Sequence, residues 1–460
     1  MTKRFLLGNN VSIMALLGSG LSSAPRSLAR AAFAASLMAV SAPASVWAQV
    51  ESIESPEPER GVPVLERARP DYDPVGIRRG SFVFYPRGTV QVQYDDNIYA
   101  TERNKQDDMI TILSPALSVR SDWTNHALNF DVNYTAGLYA AQQNELFMDY
   151  GASLDGRLDI TRNSSLSGAL AVSHEHEERG SPDEVFGREP TEFTVYTAET
   201  GYFHRFNRVT TLLEGTYNRL DYRDVAAGGI TTNIPGNFVI PTTGGQINND
   251  DRDRDEVDLT GRVGYEVQPG YEAFIRGTYN WRSYLQPRDD AGLNRDSQGY
   301  RVDLGARIDL TGIIFADVFA GYLSQNYEDS SLRKVTGWYT GLTGYWNVTG
   351  LTTVTGTANR RVGETTQPGA SGSLDTDFSL NVDHELMRNV ILSAGARYAN
   401  SDYKGFNRED DLYSGNVGAT YLVNRNAQLR AAYTHTTRDS NRANLDYSRN
   451  IVLLTLRLVL

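Results

Sequence analysis

From Phe82 to Leu460, apolar and polar side chains alternate with a period of two over stretches of roughly 10–15 residues. Leu128, Phe130, Val132, Tyr134, Ala136 and Leu138 make one parity, and Asn129, Asp131, Asn133 and Thr135 the other. Ala273, Ile275, Gly277, Tyr279 and Trp281 likewise oppose Arg276, Thr278, Asn280 and Arg282. Val302, Leu304, Ala306, Ile308 and Leu310 oppose Arg301, Asp303, Gly305, Arg307 and Asp309. Such a period puts the two sets on opposite faces of a strand. No long window carries a competing i, i+3, i+4, i+7 pattern, so the chain reads as all-β.

Two architectures bury one face of such strands, a sandwich and a barrel set in lipid. Sandwich strands average about 5–6 residues. The stretches here are about twice that, as needed to cross a bilayer at a tilt. Tight connections fall at Trp123-Thr124-Asn125, Thr161-Arg162-Asn163, Phe206-Asn207-Arg208, Gln268-Pro269-Gly270, Thr311-Gly312, Thr349-Gly350, Met387-Arg388-Asn389 and Asn424-Arg425-Asn426. Asn and Gly tolerate the positive φ of a short hairpin. Longer polar connections lie near 95–107, 141–147, 178–190, 224–254, 286–297, 328–334, 367–371, 403–410 and 439–446. Short turns thus alternate strictly with long loops, the asymmetry of outer-membrane barrels. The expectation is a transmembrane antiparallel up-and-down β-barrel over 81–460. It has about eighteen strands, with the N- and C-termini both periplasmic. The last stretch, with Val452, Leu454, Leu456, Leu458 and Leu460 on one parity, suits barrel closure and recognition by assembly machinery. Tyr85, Tyr94, Trp123, Tyr139, Trp281, Tyr284, Trp338 and Trp346 near strand ends are expected to form aromatic girdles.

Composition narrows the function classes. The 460 residues contain no cysteine, which excludes disulfides, thiolate nucleophiles and Cys-bound metals. A formal net charge of −12 argues against a protein built to grip nucleic acid. Mean hydropathy of −0.42 argues against a bundle of membrane helices and is compatible with a barrel.

Residues Met1 to Ala48 carry Lys3, Arg4, Arg26 and Arg30 without an acid, then an apolar run from Ala31 to Ala42 and the ending Val46-Trp47-Ala48. This is the build of a secretory signal peptide, with translation starting at Met1 or Met14. Its removal takes four positive charges, so the formal charge moves from −12 to −16. Residues 49–80 are rich in proline and mixed charge, and are expected to be a disordered periplasmic leader.

Candidate chemistry is sparse. His174-Glu175-His176 places two histidines two apart, not the four apart of a helical zinc pair. Asn248 to Glu256 offers hard oxygen donors but no EF-hand spacing. His435 lies near Asp439 and Ser440, but adjacency in sequence is not a triad. No catalytic, cofactor or metal residues are expected, and no enzyme.

The polar parity is more informative. Lumen-lining candidates are Arg157, Arg262, Arg276, Arg282, Arg301, Arg307, Arg361, Arg397 and Arg430, with Asp131, Asp303 and Asp383 among the acids. Arginine rows in a pore can pass carboxylates or phosphates, or can pair with acids across strands to stiffen the wall.

Several segments carry a family resemblance: Val75-Gly76-Ile77-Arg78-Arg79-Gly80-Ser81-Phe82, Tyr94-Asp95-Asp96-Asn97-Ile98-Tyr99, Gly201-Tyr202-Phe203-His204-Arg205-Phe206, and Gly264-Tyr265-Glu266 through Pro269-Gly270-Tyr271. They resemble the putative beta-barrel porin-2 family over roughly Pro74 to Leu460. The resemblance implies a bacterial outer-membrane barrel associated with passage of secreted exopolysaccharide. In that setting it would work beside a periplasmic polysaccharide export protein and an inner-membrane polymerase. It carries over no functional residues. The expectation is therefore a Gram-negative outer-membrane channel for exopolysaccharide exit, its Arg-lined, Tyr-rich lumen suited to sugar rings and acidic groups. The rivals are a general porin for small solutes and a non-transporting structural or surface-binding barrel. Expected partners are outer-membrane lipid and lipopolysaccharide, the polysaccharide, the export protein and the barrel-assembly machinery, without nucleic acid.

Overall fold

The computed structural model describes residues 62–460 apart from 183, 228–241, 244, 311, 366 and 368. The expected signal peptide, the leader up to residue 61 and much of loop 224–254 lie outside the described residues.

Eighteen long strands follow one another in chain order. The first six are β1 (Phe82–Asp95), β2 (Asp108–Ser121), β3 (Ala127–Tyr139), β4 (Phe147–Thr161), β5 (Ser164–His176) and β6 (Glu192–Phe206). Then come β7 (Val209–Tyr222), β8 (Arg254–Gln268), β9 (Tyr271–Tyr284), β10 (Ser297–Leu310), β11 (Ile314–Tyr327) and β12 (Val335–Thr349). The circuit ends with β13 (Thr352–Gly363), β14 (Gly372–Met387), β15 (Val390–Lys404), β16 (Glu409–Asn424), β17 (Ala427–Ser440) and β18 (Tyr447–Val459). Each pairs antiparallel with its chain neighbours, and β1 pairs with β18 from Arg87↔Val459 to Asp95↔Ile451, closing the barrel. Leu460 donates its amide to the Pro86 carbonyl at 3.2 Å. Below that point β18 has ended, and the short strand Ile77–Arg79 folds back at Gly80 to pair with Phe82–Phe84 instead.

The register explains the alternation. Across β9 and β10, Arg276 faces Asp303 and Glu272 faces Arg307, while Ile275 faces Leu304 and Ala273 faces Ala306. One parity is charged and covered; the other is apolar and bare. Leu304 is 65% exposed beside Asp303 at 2%. Only a surrounding hydrocarbon makes such an exterior favourable, because each fully bared leucine forgoes about 1.5–3 kcal/mol in water. Strands spaced about 4.8 Å apart and tilted roughly 40° give eighteen of them a circumference of about 110 Å, enough to enclose an aqueous lumen.

The aromatic girdles form, but not from all the residues expected. Tyr94, Trp281, Trp338 and Trp346 are on the bare face, whereas Tyr85 and Tyr284 are buried on the inner one, with Tyr139 on that same parity. The outer row near the long loops is mostly tyrosine, including Tyr134, Tyr150, Tyr196, Tyr300, Tyr322 and Tyr413. Several of its hydroxyls reach a polar group on the rim, as Tyr217 to Asp255 at 2.8 Å and Tyr398 to Asp411 at 2.7 Å. Rings in the apolar band with wet hydroxyls at its edge fit a membrane interface. The consequence is a correction: the lumen is rich in arginine, but most strand tyrosines point away from it.

Candidate functional site

The barrel interior gathers the charged side chains. All twelve expected lumen residues lie on the inward parity of their strands: Arg157, Arg262, Arg276, Arg282, Arg301, Arg307, Arg361, Arg397 and Arg430 with Asp131, Asp303 and Asp383. Their states differ.

On β8 to β10 three arginines are built into the wall. Arg262 contacts Glu272 at 2.7 Å, Arg276 contacts Asp303 at 3.1 Å and Arg307 contacts Asp317 at 3.1 Å. Tyr339 donates its hydroxyl to Asp303 as well. The guanidinium of Arg276 lies 4.3 Å over the Phe319 ring, and that of Arg262 lies 4.1 Å over Phe274. Planar cations stacked on aromatic faces and paired with carboxylates have little charge left to offer a passing solute. Elsewhere Arg157 meets Asp159 at 2.9 Å, Arg397 meets Asp377 at 2.5 Å and Arg361 approaches Asp375 at 4.0 Å. Asp131 accepts two bonds from Arg120 at 2.7 and 2.9 Å, and Asp383 accepts one from Ser393 at 2.6 Å. Among the described residues, Arg301 and Arg430 contact no carboxylate.

The long-loop mouth is crossed by a strap. The loop after β5 reaches the far side of the ring, where the Pro182 carbonyl accepts from Gln367, Tyr403 and Arg408, each at 3.2 Å. Arg438 donates to the Gly180 carbonyl at 2.9 Å. At the strap's root, buried Arg179 bonds Glu145 at 2.8 Å and Glu184 at 2.6 Å. Burial alone would lower the pKa of Arg179, but its bonds to Glu145 and the charges of Glu145 and Glu184 outweigh it and raise the pKa. A second cluster forms where Arg282, Tyr284 and Tyr327 converge on Glu364, the two hydroxyls at 2.9 and 3.4 Å. Fully buried Arg295 joins Asp289 at 2.6 Å to the Ala370 carbonyl at 3.1 Å, tying two more loops together. Nearby, burial pushes Asp251 up to about 6, reinforced by Asp290, and burial likewise pushes Asp253 up to about 6.

The short-turn end is also partly covered. Residues from Val62 onward, expected to belong to a leader, lie against the inner rim. Val64 donates its amide to Thr353 at 2.9 Å, Arg69 meets Glu385 at 2.9 Å and Arg425 donates to the Pro70 carbonyl at 2.9 Å.

The histidines remain scattered. His176 contacts Asp149 at 3.0 Å, His174 contacts Thr194 at 3.0 Å and His435 contacts Asn450 at 2.8 Å. No group of three or more metal-ligating side chains assembles among the described residues. Arg120, Arg179, Arg295, Arg408 and Arg438 were not among the expected residues. Arg120 sits where Pro115 and Ala116 interrupt the alternation, and the others occupy loops or strand tips, where parity gives no signal.

A protein-family model described as putative beta-barrel porin 2 matches residues 69–460. Among solved structures, the chain is similar to a BenF-like porin from Pseudomonas fluorescens Pf-5, at 12% identity over 82% of this chain and 99% of that one, with a TM-score of 0.41. It is similar to OccK2 (OpdF) from Pseudomonas aeruginosa at 10% identity, over 82% and 98% of the two chains, with a TM-score of 0.43. It is similar to the siderophore receptor PirA from Acinetobacter baumannii at 8% identity, over 82% and 80%, with a TM-score of 0.43. No curated protein matches the chain.

Proposed function

The chain belongs to the putative beta-barrel porin 2 family and is a porin-like β-barrel of the bacterial outer membrane; from that premise we propose that it conducts small hydrophilic solutes, anions preferred, through its Arg-lined lumen. One observation carries this reading: on strand after strand the inward parity is polar or charged while the outward parity is apolar. Eight strands leave an interior that side chains alone can fill, but eighteen enclose a wider space. Here the polar wall suits water.

The short turns face the periplasm and the long loops the exterior, so both ends of the barrel chain are periplasmic. The length asymmetry of the connections supports this orientation. The strap at Pro182 then restricts the outer mouth and the segment from Val62 the inner one. Conductance of the purified protein in planar bilayers tests the reading. Stepwise ion currents are expected, and their absence would favour a structural or surface-binding barrel.

A finer reading is the exit of a secreted exopolysaccharide, beside a periplasmic polysaccharide export protein. The breadth of an eighteen-strand barrel supports it, as does arginine chemistry matched to uronate groups. The outward tyrosines remove the sugar-stacking surface that would favour it further, so the small-solute channel is the reading advanced. Deletion of the gene separates the two: loss of secreted polymer supports the export reading, and unchanged secretion removes it.

A further inference from the structure

Arg430 faces the lumen in β17, one inward step from the short turn Asn424-Arg425-Asn426. In register it is flanked on both sides by threonine, Thr420 of β16 and Thr455 of β18. Paired residues on adjacent strands stand about 5 Å apart, so two hydroxyls and a guanidinium form a continuous row across three strands. All three side chains are part-exposed on the inner face, and none makes a side-chain hydrogen bond among the described residues. Arg457 extends the row, since it lies opposite Gln428 in β17 and Thr89 in β1. The acid whose charge reaches Arg430 is Asp383, three strands away, and its carboxylate accepts from the Ser393 hydroxyl at 2.6 Å.

The other expected lumen arginine without a carboxylate contact provides a contrast. Arg301 is flanked by Leu323 and by Thr278, whose hydroxyl is bonded to Thr260 at 2.9 Å. Neither register partner offers a free hydroxyl. Around Arg430, two part-exposed hydroxyls lie in register with the guanidinium on the same inner face.

We propose that Thr420, Arg430 and Thr455, with the charge of Arg457 beside them, form an oxyanion-binding subsite in the inner half of the lumen. The ligand is the carboxylate or phosphate group of a solute in transit. The guanidinium fork pairs with two oxygens of the anion, and the threonine hydroxyls donate to those that remain. This deepens the channel reading and rests on it for the direction of transit, but the binding itself does not require conduction.

Calorimetric titration of the detergent-solubilised barrel with citrate, and separately with inorganic pyrophosphate, tests the subsite and distinguishes carboxylate from phosphate. Wild type is expected to bind at least one of them, with glycerol silent. Arg430→Ala should weaken binding about tenfold or more, the scale of a lost charge-assisted hydrogen bond. Arg430→Lys, which keeps the charge without the fork, should fall between. Thr420→Val and Thr455→Val should each weaken binding several-fold, whereas Arg162→Ala, in the β4–β5 turn, should not. Heat-modifiable migration on gels identifies variants that have not folded. Equal affinity in wild type and Arg430→Ala, or no binding by wild type, would overturn the subsite. In planar bilayers, wild-type current with no citrate block leaves the channel standing while the subsite falls. Calorimetric binding without current has the opposite meaning.

Discussion

The Arg408 guanidinium donates to the Pro182 carbonyl at 3.2 Å, joining residues 226 positions apart in the chain across the long-loop mouth. A backbone carbonyl carries no sequence signature, and this one accepts two further bonds, from Gln367 and Tyr403. The strap is therefore held by donors on the opposite rim. The neutral bonds from Gln367 and Tyr403 contribute about 1 kcal/mol net each and the charge-assisted one from Arg408 about 2, so removing all three donors should release about 4 kcal/mol of closure. The triple variant Gln367→Ala/Tyr403→Phe/Arg408→Ala should show higher single-channel conductance and faster proteolysis within 178–190. Unchanged conductance and an unchanged cleavage pattern would refute the strap.

Arg276 and Asp303 test whether a lumen arginine belongs to the wall. Both are nearly covered, and Phe319 and Tyr339 complete their surroundings. Arg276→Ala leaves a buried carboxylate without its cation, a loss of about 3 kcal/mol or more. The temperature at which gel mobility changes from folded to unfolded should fall. Arg276→Ala/Asp303→Asn should recover most of the loss, because the second change removes the stranded charge. Recovery failing to appear would mean that the pair does not act as a unit.

The division between legible and illegible features follows from physics. Strand faces, the positions of the tight turns and most of the alternation of turn lengths were readable because each depends on neighbours one or two residues away; the exception is the β15–β16 connection, 405–408, which is shorter than the β2–β3 turn, 122–126. Pairing of charges was not, since it depends on diagonal contacts between strands. Arg276 and Arg430 look alike in sequence, yet one is stacked and paired while the other is flanked by free hydroxyls. Position at a strand end misled where parity did not: Tyr284 was expected in the girdle, yet it shares the inward parity of Arg276 and Arg282 and reaches Glu364. The strap left no trace beyond an ordinary polar loop, because backbone carbonyls accept its bonds.

Loop packing should tighten on acidification. Asp251 and Asp253 have pKa values raised by burial to about 6, with Asp290 adding to the first and Asp221 to the second. A raised carboxyl pKa means that the ionised form is disfavoured in the folded loop. The cost is fully present above pH 6 and disappears as pH falls through 6 towards 4. Each unit is worth about 1.4 kcal/mol, so the cost is about 3 kcal/mol at most for buried Asp251 and about 1 kcal/mol for part-exposed Asp253. Hydrogen exchange of amides 249–253 and 289–293 should therefore slow on moving from pH 7.5 to 5, after correction for intrinsic rates. Asp251→Asn should slow it already at pH 7.5 and weaken the pH dependence. Faster corrected exchange at pH 5 would contradict the sign.

Leu304 and Asp303 are adjacent in β10, the first 65% exposed and the second 2%. If the bare parity meets acyl chains, a charge placed there must be taken into hydrocarbon, at a cost of about 2–4 kcal/mol near the bilayer midplane. Leu304→Arg should therefore reduce folding efficiency into lipid vesicles and lower the denaturant midpoint of the folded barrel. On the opposite parity the same chemistry meets water, so Asn359→Arg, opposite Gly341 and Asp377, should leave the midpoint nearly unchanged. The difference between the two variants matters more than either alone, since both introduce the same arginine side chain and strand propensities span only about 1 kcal/mol. Equal penalties would place the two faces in similar surroundings, which an open lumen inside a lipid belt does not allow.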